Sequence, residues 1–282
     1  MRISVMSWSF NNALRSGELD TAAVIRFVRE LGVEAVELMD GFITDDQEAA
    51  IDRALAETGC AHVCYDVDGD FVDPDLAARQ AAVGKVVAGL ERGARLGAQR
   101  ALVVPGSLKE GISPAVARSW IVQGLKECRP AAARLGLPLT IEDHSSQAAV
   151  YGRSQHLEYI CDGVGPGLGV TYDVGNFLLA GEDAAAAALR LGPRIVHAHY
   201  KDWHVVEPGQ DRPARCVTSV DGARYTGAVL GEGVVDMVAA TAALRQIGYR
   251  GYISVEFEGV GDPREAVRRG VAHVRKLLGS AV

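Results

Sequence analysis

The sequence predicts an α/β fold of the (β/α)8 barrel class, and three observations predict it. Short apolar runs alternate with longer Ala/Leu/Arg/Glu-rich stretches, and the beat repeats eight times. Several long stretches stop at a glycine just before the next run: Leu31-Gly32, Leu96-Gly97, Leu135-Gly136 and Ile247-Gly248. Such a glycine is the expected helix stop. The length of 282 residues suits one barrel of roughly 250 residues with no second domain.

In chain order, strands are expected at 3–6, 35–38, 61–65, 101–104, 139–141, 169–172, 195–198 and 252–255. The helices expected between and after them are 21–31, 46–58, 76–96, 114–135, 155–161, 183–191, 234–247 and 263–278. Strand–helix alternation implies parallel pairing through crossover helices, and eight repeats imply a closed sheet. No glycine-rich phosphate fingerprint follows the first strand, where Ser7-Trp8-Ser9-Phe10 stands, which argues against a dinucleotide-binding sheet. Residues 1–282 therefore read as a single domain. One connection, 202–233, is long, rich in Gly, Pro, Asp and Arg, and without strong period. Lying after strand seven, it is expected to act as a lid, with an oligomer contact as the alternative.

Composition narrows the partners. Apolar residues are 48% of the chain but aromatics only 6%, so the core must come from Ala, Val, Leu and Ile. With 36 acidic against 29 basic residues the net charge is −7, and the basic residues form no block, which disfavours nucleic acid. The cysteines, Cys60, Cys64, Cys128, Cys161 and Cys216, are odd in number and lack zinc-finger spacing. They read as reduced thiols. There is no export h-region and no apolar run of membrane-span length, so the expectation is a cytoplasmic protein with no membrane partner.

Active sites of such barrels form at the C-terminal ends of the strands. Strand side chains alternate, so parity shows which residues face the axis. With Leu139 and Ile141 outward, Thr140 and Glu142 point inward; the same rule selects Thr171 and Asp173, His197 and His199, Ser254 and Glu256, and Glu37 on strand two. Glu142, Asp173, His199 and Glu256 thus share one end of the axis. Three carboxylates and an imidazole form a hard, oxygen-rich set suited to Mn²⁺ or Mg²⁺, with Co²⁺ or Zn²⁺ also compatible. Without a cation the three acids would repel strongly.

Other polar residues carry two readings each. Glu37 serves as a substrate contact or as an acceptor behind the ligands. His197, one layer deeper, and His62, at a strand start, read as structural. His144 and Asn176 serve either loop structure or substrate contact. Lys201 and Asp202 are either a surface pair or part of the substrate site; Glu258 is a lesser ligand candidate. In the long connection Glu232 and His204 are placed to reach substrate hydroxyls, and Trp203 and Tyr225 to cover them.

Five segments carry a family resemblance: 141–144 (Ile-Glu-Asp-His), 172–176 (Tyr-Asp-Val-Gly-Asn), 197–202 (His-Ala-His-Tyr-Lys-Asp), 230–236 (Leu-Gly-Glu-Gly-Val-Val-Asp) and 251–258 (Gly-Tyr-Ile-Ser-Val-Glu-Phe-Glu). In order and spacing the chain resembles the xylose isomerase-like TIM barrel superfamily, in its sugar phosphate isomerase/epimerase branch. The resemblance covers the second half well and the first half in rhythm alone. It implies that Glu142, Asp173, His199 and Glu256 ligate one catalytic Mn²⁺-like ion. It also implies that Glu142 and Glu256 double as acid/base groups on a small sugar or polyol, by proton abstraction α to a carbonyl through a metal-bound enediolate. Isomerisation or epimerisation is the expected outcome, with dehydration or C-glycoside cleavage as the alternative.

The chain departs from the ketohexose 3-epimerases of that superfamily. Asn176 stands where they carry a histidine three residues after the metal aspartate, and Val205 where they carry an arginine six residues after the metal histidine. It also lacks the extra histidines and the Asp-x-His pair of the three-zinc apurinic-site endonucleases. A non-catalytic sugar-binding barrel is the remaining alternative. Exposed barrel helices commonly pair, so a homo-oligomer is compatible with this reading.

Overall fold

In the computed structural model, which describes residues 1–207, 209 and 213–279, the strands are, in chain order, β1 (Arg2–Met6), β2 (Ala35–Met39), β3 (Ala61–Asp68), β4 (Ala101–Val104), β5 (Leu139–Glu142), β6 (Leu168–Asp173), β7 (Ile195–Tyr200), β8 (Asp202–Val205), β9 (Val217–Thr218), β10 (Arg224–Ala228) and β11 (Tyr252–Val255). Strands β1 to β7 and β11 close into one parallel barrel, with β11 joining β7 to β1. In that ring β3 and β7 are four strands apart, on opposite sides of the axis.

The helices are α1 (Asn11–Ser16), α2 (Thr21–Glu30), α3 (Glu48–Thr58), α4 (Leu76–Arg95), α5 (Pro114–Leu135), α6 (Ser154–Val164), α7 (Val174–Leu179), α8 (Ala184–Leu191), α9 (Met237–Gln246) and α10 (Pro263–Leu278). Seven start on a side chain that accepts a first-turn N–H: Asp20, Asp75, Ser113, Asp173, Asp183, Asp236 and Asp262. Each such cap stabilises its helix by about 1 kcal/mol. Helix α4 lies unusually close to β3. A Cβ at Gly89 would stand 2.6 Å from Val67 Cγ1, and one at Gly93 2.6 Å from Tyr65 Cδ1. Only hydrogen fits at these two positions.

The structure departs from the expected elements in three places. Strand β3 runs to Asp68 rather than stopping at Tyr65, because Val67 stays fully buried on the outer face while Asp66 and Asp68 take the inner one. The short helices α1 and α7 occupy stretches where no element was expected. The connection 202–233, expected to lack regular structure, holds an antiparallel sheet in the order β8-β10-β9. Residues 208 and 210–212 of that connection lie outside the described residues. Among the described residues, no helix is long and apolar enough to cross a membrane.

Candidate metal centre and its pocket

Glu142 ends β5, Asp173 ends β6, His199 lies in β7, and Glu256 follows β11 by one residue. Their outward neighbours Ile141, Tyr172, Ala198 and Val255 are fully buried, so packing under the helices turns the polar side chains inward. One atom from each of the four residues lies within 4.8 Å of all the others. His199 Nδ1 is 2.7 Å from Glu142 Oε1 and 3.5 Å from Glu256 Oε2. Asp173 uses Oδ1 to accept the N–H groups of Gly175 and Asn176 at the start of α7. Its Oδ2 and Glu256 Oε2 are buried without a hydrogen bond; Lys201 Nζ stands 3.2 Å from Asp173 Oδ2 as an ion pair only. Two orphaned carboxylate oxygens converging with a third carboxylate and an imidazole nitrogen fit a hard divalent ion.

Behind this set, Glu37 is fully buried and bridges two histidines. Its Oε1 is 2.9 Å from His199 Nε2 and its Oε2 2.8 Å from His197 Nε2. Burial opposes a charge on Glu37, yet the two imidazoles outweigh it and hold its carboxyl well below the usual range. Burial likewise opposes a charge on His199, but Glu37 and Glu142 raise its pKa well above the usual histidine value. Asp143 holds the next strand end: its Oδ1 accepts the Asp173 N–H at 2.8 Å, and its backbone carbonyl accepts from the Asn176 amide at 2.8 Å.

Beside Glu142 and Glu256 opens a cavity of about 160 Å³. Glu142, His144, Lys201, Glu256 and Glu258 line one side, and Asp66 and Asp68 of β3 belong to the other. Trp8, Met6, Met39, Leu102 and Val104 complete the wall. Trp8 is set by its neighbours: Ser7 Oγ accepts the Met39 N–H of β2, and Ser9 Oγ accepts the Phe257 N–H just beyond β11. Lys201 is only 5% exposed and reaches Glu256 at 3.1 Å and Glu258 at 2.9 Å. Burial would raise the Glu258 carboxyl, but the Lys201 ammonium beside it draws it down to about 2.

Of the six residues expected at substrate, His144 and Lys201 line this cavity. The others have protein partners. Glu37 lies beneath the ligands, and the Asn176 amide is bonded to Asp143. Asp202 accepts four backbone N–H groups, from Trp203 and Val235 at Oδ1 and from Gly231 and Gly233 at Oδ2. Glu232 pairs with Arg269 on the surface. Trp203 is buried, with its indole N–H on the Gly175 carbonyl.

The sequence reading passed over Asp66, Asp68 and Trp8. For the two aspartates the signal was the continued alternation Tyr65-Asp66-Val67-Asp68. For Trp8 it was an aromatic residue directly beyond the end of β1.

A family profile described as xylose isomerase-like TIM barrel matches residues 25–277. The rhizopine catabolism protein MocC of Rhizobium meliloti is 24% identical over 278 residues, 94% of this chain and 82% of that protein. Inosose dehydratase of Lacticaseibacillus casei is 31% identical over 97 residues, covering 34% of this chain and 31% of its own. A solved structure of IOLI protein with a binding zinc atom has a TM-score of 0.79 at 15% identity, covering 99% of this chain and 98% of that one.

Proposed function

The chain belongs to the xylose isomerase-like TIM barrel family, and from that premise we propose a divalent-metal-dependent isomerase or epimerase that removes the proton α to a carbonyl of a sugar or polyol. One observation carries the reading. Glu142 and Glu256 reach a single monosaccharide-sized cavity from two different strands, flanking His199.

Glu142, Asp173, His199 and Glu256 would hold the ion, with Mn²⁺ the first candidate for this donor set. A bound dication supplies Lewis-acid polarisation of a carbonyl oxygen. One glutamate takes the proton from the carbon beside that carbonyl, and the other stands placed to return one. Return to the same carbon from the other side gives an epimer, and return to the neighbouring carbon gives an aldose–ketose isomer. Lys201 holds Glu256 and Glu258 in place, and the apolar wall of Trp8, Leu102 and Val104 limits water at the reacting carbon.

Dehydration is the second reading, supported by the inosose dehydratase relative and by one contact. The Lys201 ammonium, 3.1 Å from Glu256, is a fixed positive charge beside the acid/base pair, suited to steadying the oxygen of a departing hydroxyl. Metal-loaded protein incubated in D2O with ketoses, inososes and keto-sugar glycosides tests both. Deuterium at the carbon next to the carbonyl, read by NMR, supports abstraction, and the product separates isomerisation from loss of water. No label, no isotope effect and hydrolytic products would refute both readings.

A further inference from the structure

We propose that Arg215 is a positioning residue: from the connection 202–233 it holds Trp8 in the cavity wall through the side chain of Asn11, and so acts on substrate through Trp8. The proposal rests on reading the cavity as the substrate site and adds what fastens its aromatic wall. Arg215 Nη2 donates to Asn11 Oδ1 at 2.6 Å and also to Asn12 Oδ1. Asn11 is only 4% exposed, and its Nδ2 donates to the Trp8 carbonyl at 2.7 Å. A guanidinium only donates and a carbonyl only accepts, so a single orientation of the Asn11 amide serves both. The cation on the amide oxygen polarises the group and strengthens its donation to Trp8.

Trp8 needs such a fastening. It sits in the 3-10 turn Ser7–Phe10 between β1 and α1, half-buried, and lines the cavity. Its indole stacks on Phe42 with ring centroids 5.9 Å apart, and the exposed Arg15 guanidinium stands 5.7 Å from the same ring. Behind the turn packing is loose. A second cavity, of about 280 Å³, is lined there by Ser9, Asn11, Asn12, Arg215, Phe257 and Gly259 among others. Hydrogen bonds rather than close packing therefore hold the turn on that side. The connection is also tied to the segment that carries Glu258. Gly227 of β10 forms a single parallel bridge with Gly259, so close that a Cβ at Gly227 would stand 2.4 Å from the backbone carbon of Glu258. The connection thus touches the pocket at two places, the Glu258 backbone and the Trp8 turn.

The test is 19F NMR of Mg²⁺-loaded protein labelled with 5-fluorotryptophan. The chain has three tryptophans, Trp8, Trp120 and Trp203, and Trp8→Phe, Trp120→Phe and Trp203→Phe assign their resonances. Expected in Arg215→Ala is a shifted or broadened Trp8 resonance with Trp120 unmoved, and partial recovery in Arg215→Lys, which keeps the charge. Asn11→Ala should move Trp8 as well, and the double variant no further than Asn11→Ala alone, because both residues act through one link. Arg215 is only partly buried, so its variants report even where Asn11→Ala disturbs folding. With D-fructose or an inosose turning over in D2O, Arg215→Ala should raise KM about 10-fold and leave kcat within about threefold, since a wall less often in place costs binding rather than chemistry. A Trp8 resonance unmoved in Arg215→Ala overturns the proposal. So does a double variant whose shift is the sum of the single ones, or an unchanged KM beside a shifted Trp8. A coupled Trp8 shift without deuterium exchange in either compound would leave the clamp standing and refute the reaction instead.

Discussion

Glu37 Oε1 lies 2.9 Å from His199 Nε2, and this contact decides which imidazole nitrogen turns toward Glu142 and Glu256. Glu37 is held ionised and can only accept, so Nε2 donates and Nδ1 is left facing Glu142 and Glu256. Changing Glu37 to Gln keeps the shape and removes the charge. Partners of this kind behind a ligand histidine typically contribute about 10- to 100-fold to metal affinity. Glu37→Gln should weaken Mn²⁺ by that order in a chelator competition while the fold persists. Unchanged affinity would show that the contact does not prepare His199 as a ligand.

The four converging residues give a sharper expectation. Glu142→Gln, Asp173→Asn, His199→Ala and Glu256→Gln should each lower bound metal after dialysis. Loss of the acid/base group in the two glutamate variants should also cost about 10²–10⁴ in rate. Full metal occupancy in both Asp173→Asn and His199→Ala would overturn the assignment of the centre.

Asp202 concerns the connection rather than the reaction. Its carboxylate accepts N–H groups from Trp203, Gly231, Gly233 and Val235, tying the start of 202–233 to its end. Asp202→Ala leaves those donors unpaired and should destabilise the chain by about 2–4 kcal/mol. It should also open 202–233 to limited proteolysis. A lid function further requires that substrate slow hydrogen exchange in this segment, and unaltered exchange would leave it a structural strap.

His62 sets a pH dependence. Its Nδ1 is 2.9 Å from the Leu96 carbonyl, its Nε2 has no partner, and burial lowers its pKa from 6.5 to about 4. The folded pKa is depressed, so between these values the unfolded chain binds the extra proton. Stability from this group is therefore complete above pH 6.5 and is lost as pH falls from 6.5 toward 4. At pH 5 the loss is about 2 kcal/mol relative to pH 7.5. Urea unfolding of the protein and of His62→Gln at the two pH values should show a shallower dependence in the variant. Parallel curves would exclude His62 as the source.

The period-two pattern made the barrel and the converging quartet legible before any coordinates. Val170, Tyr172, Ala198 and Ile253 are apolar on alternate positions, which leaves Asp173, His199 and Glu256 no face but the inner one. The same rule failed at β3 for a chemical reason. An aspartate after Tyr65 resembles a strand end, since burying an acid inside a sheet is costly, and here that cost marks the cavity wall. Asn176, Asp202 and Glu232 lie outside the barrel strands' buried alternation, where spacing says nothing about direction. Their partners, a strand-end carbonyl, a loop's own amides and a helix arginine, depend on tertiary approach that only coordinates reveal. The sheet β8-β10-β9 was hidden likewise, because its strands are short and only partly buried.

The bare faces of Gly89 and Gly93 reach further than helix packing. They let α4 press on Val67 and Tyr65, the outward residues that alternate with Asp66 and Asp68 along the same strand. A methyl group added on the outside of the barrel must push β3 inward or the helix outward. The bore of the cavity is thus adjustable from a site that no ligand touches. Graded substitutions along that helix offer a way to retune which ring sizes enter while leaving every polar group at the strand ends chemically intact.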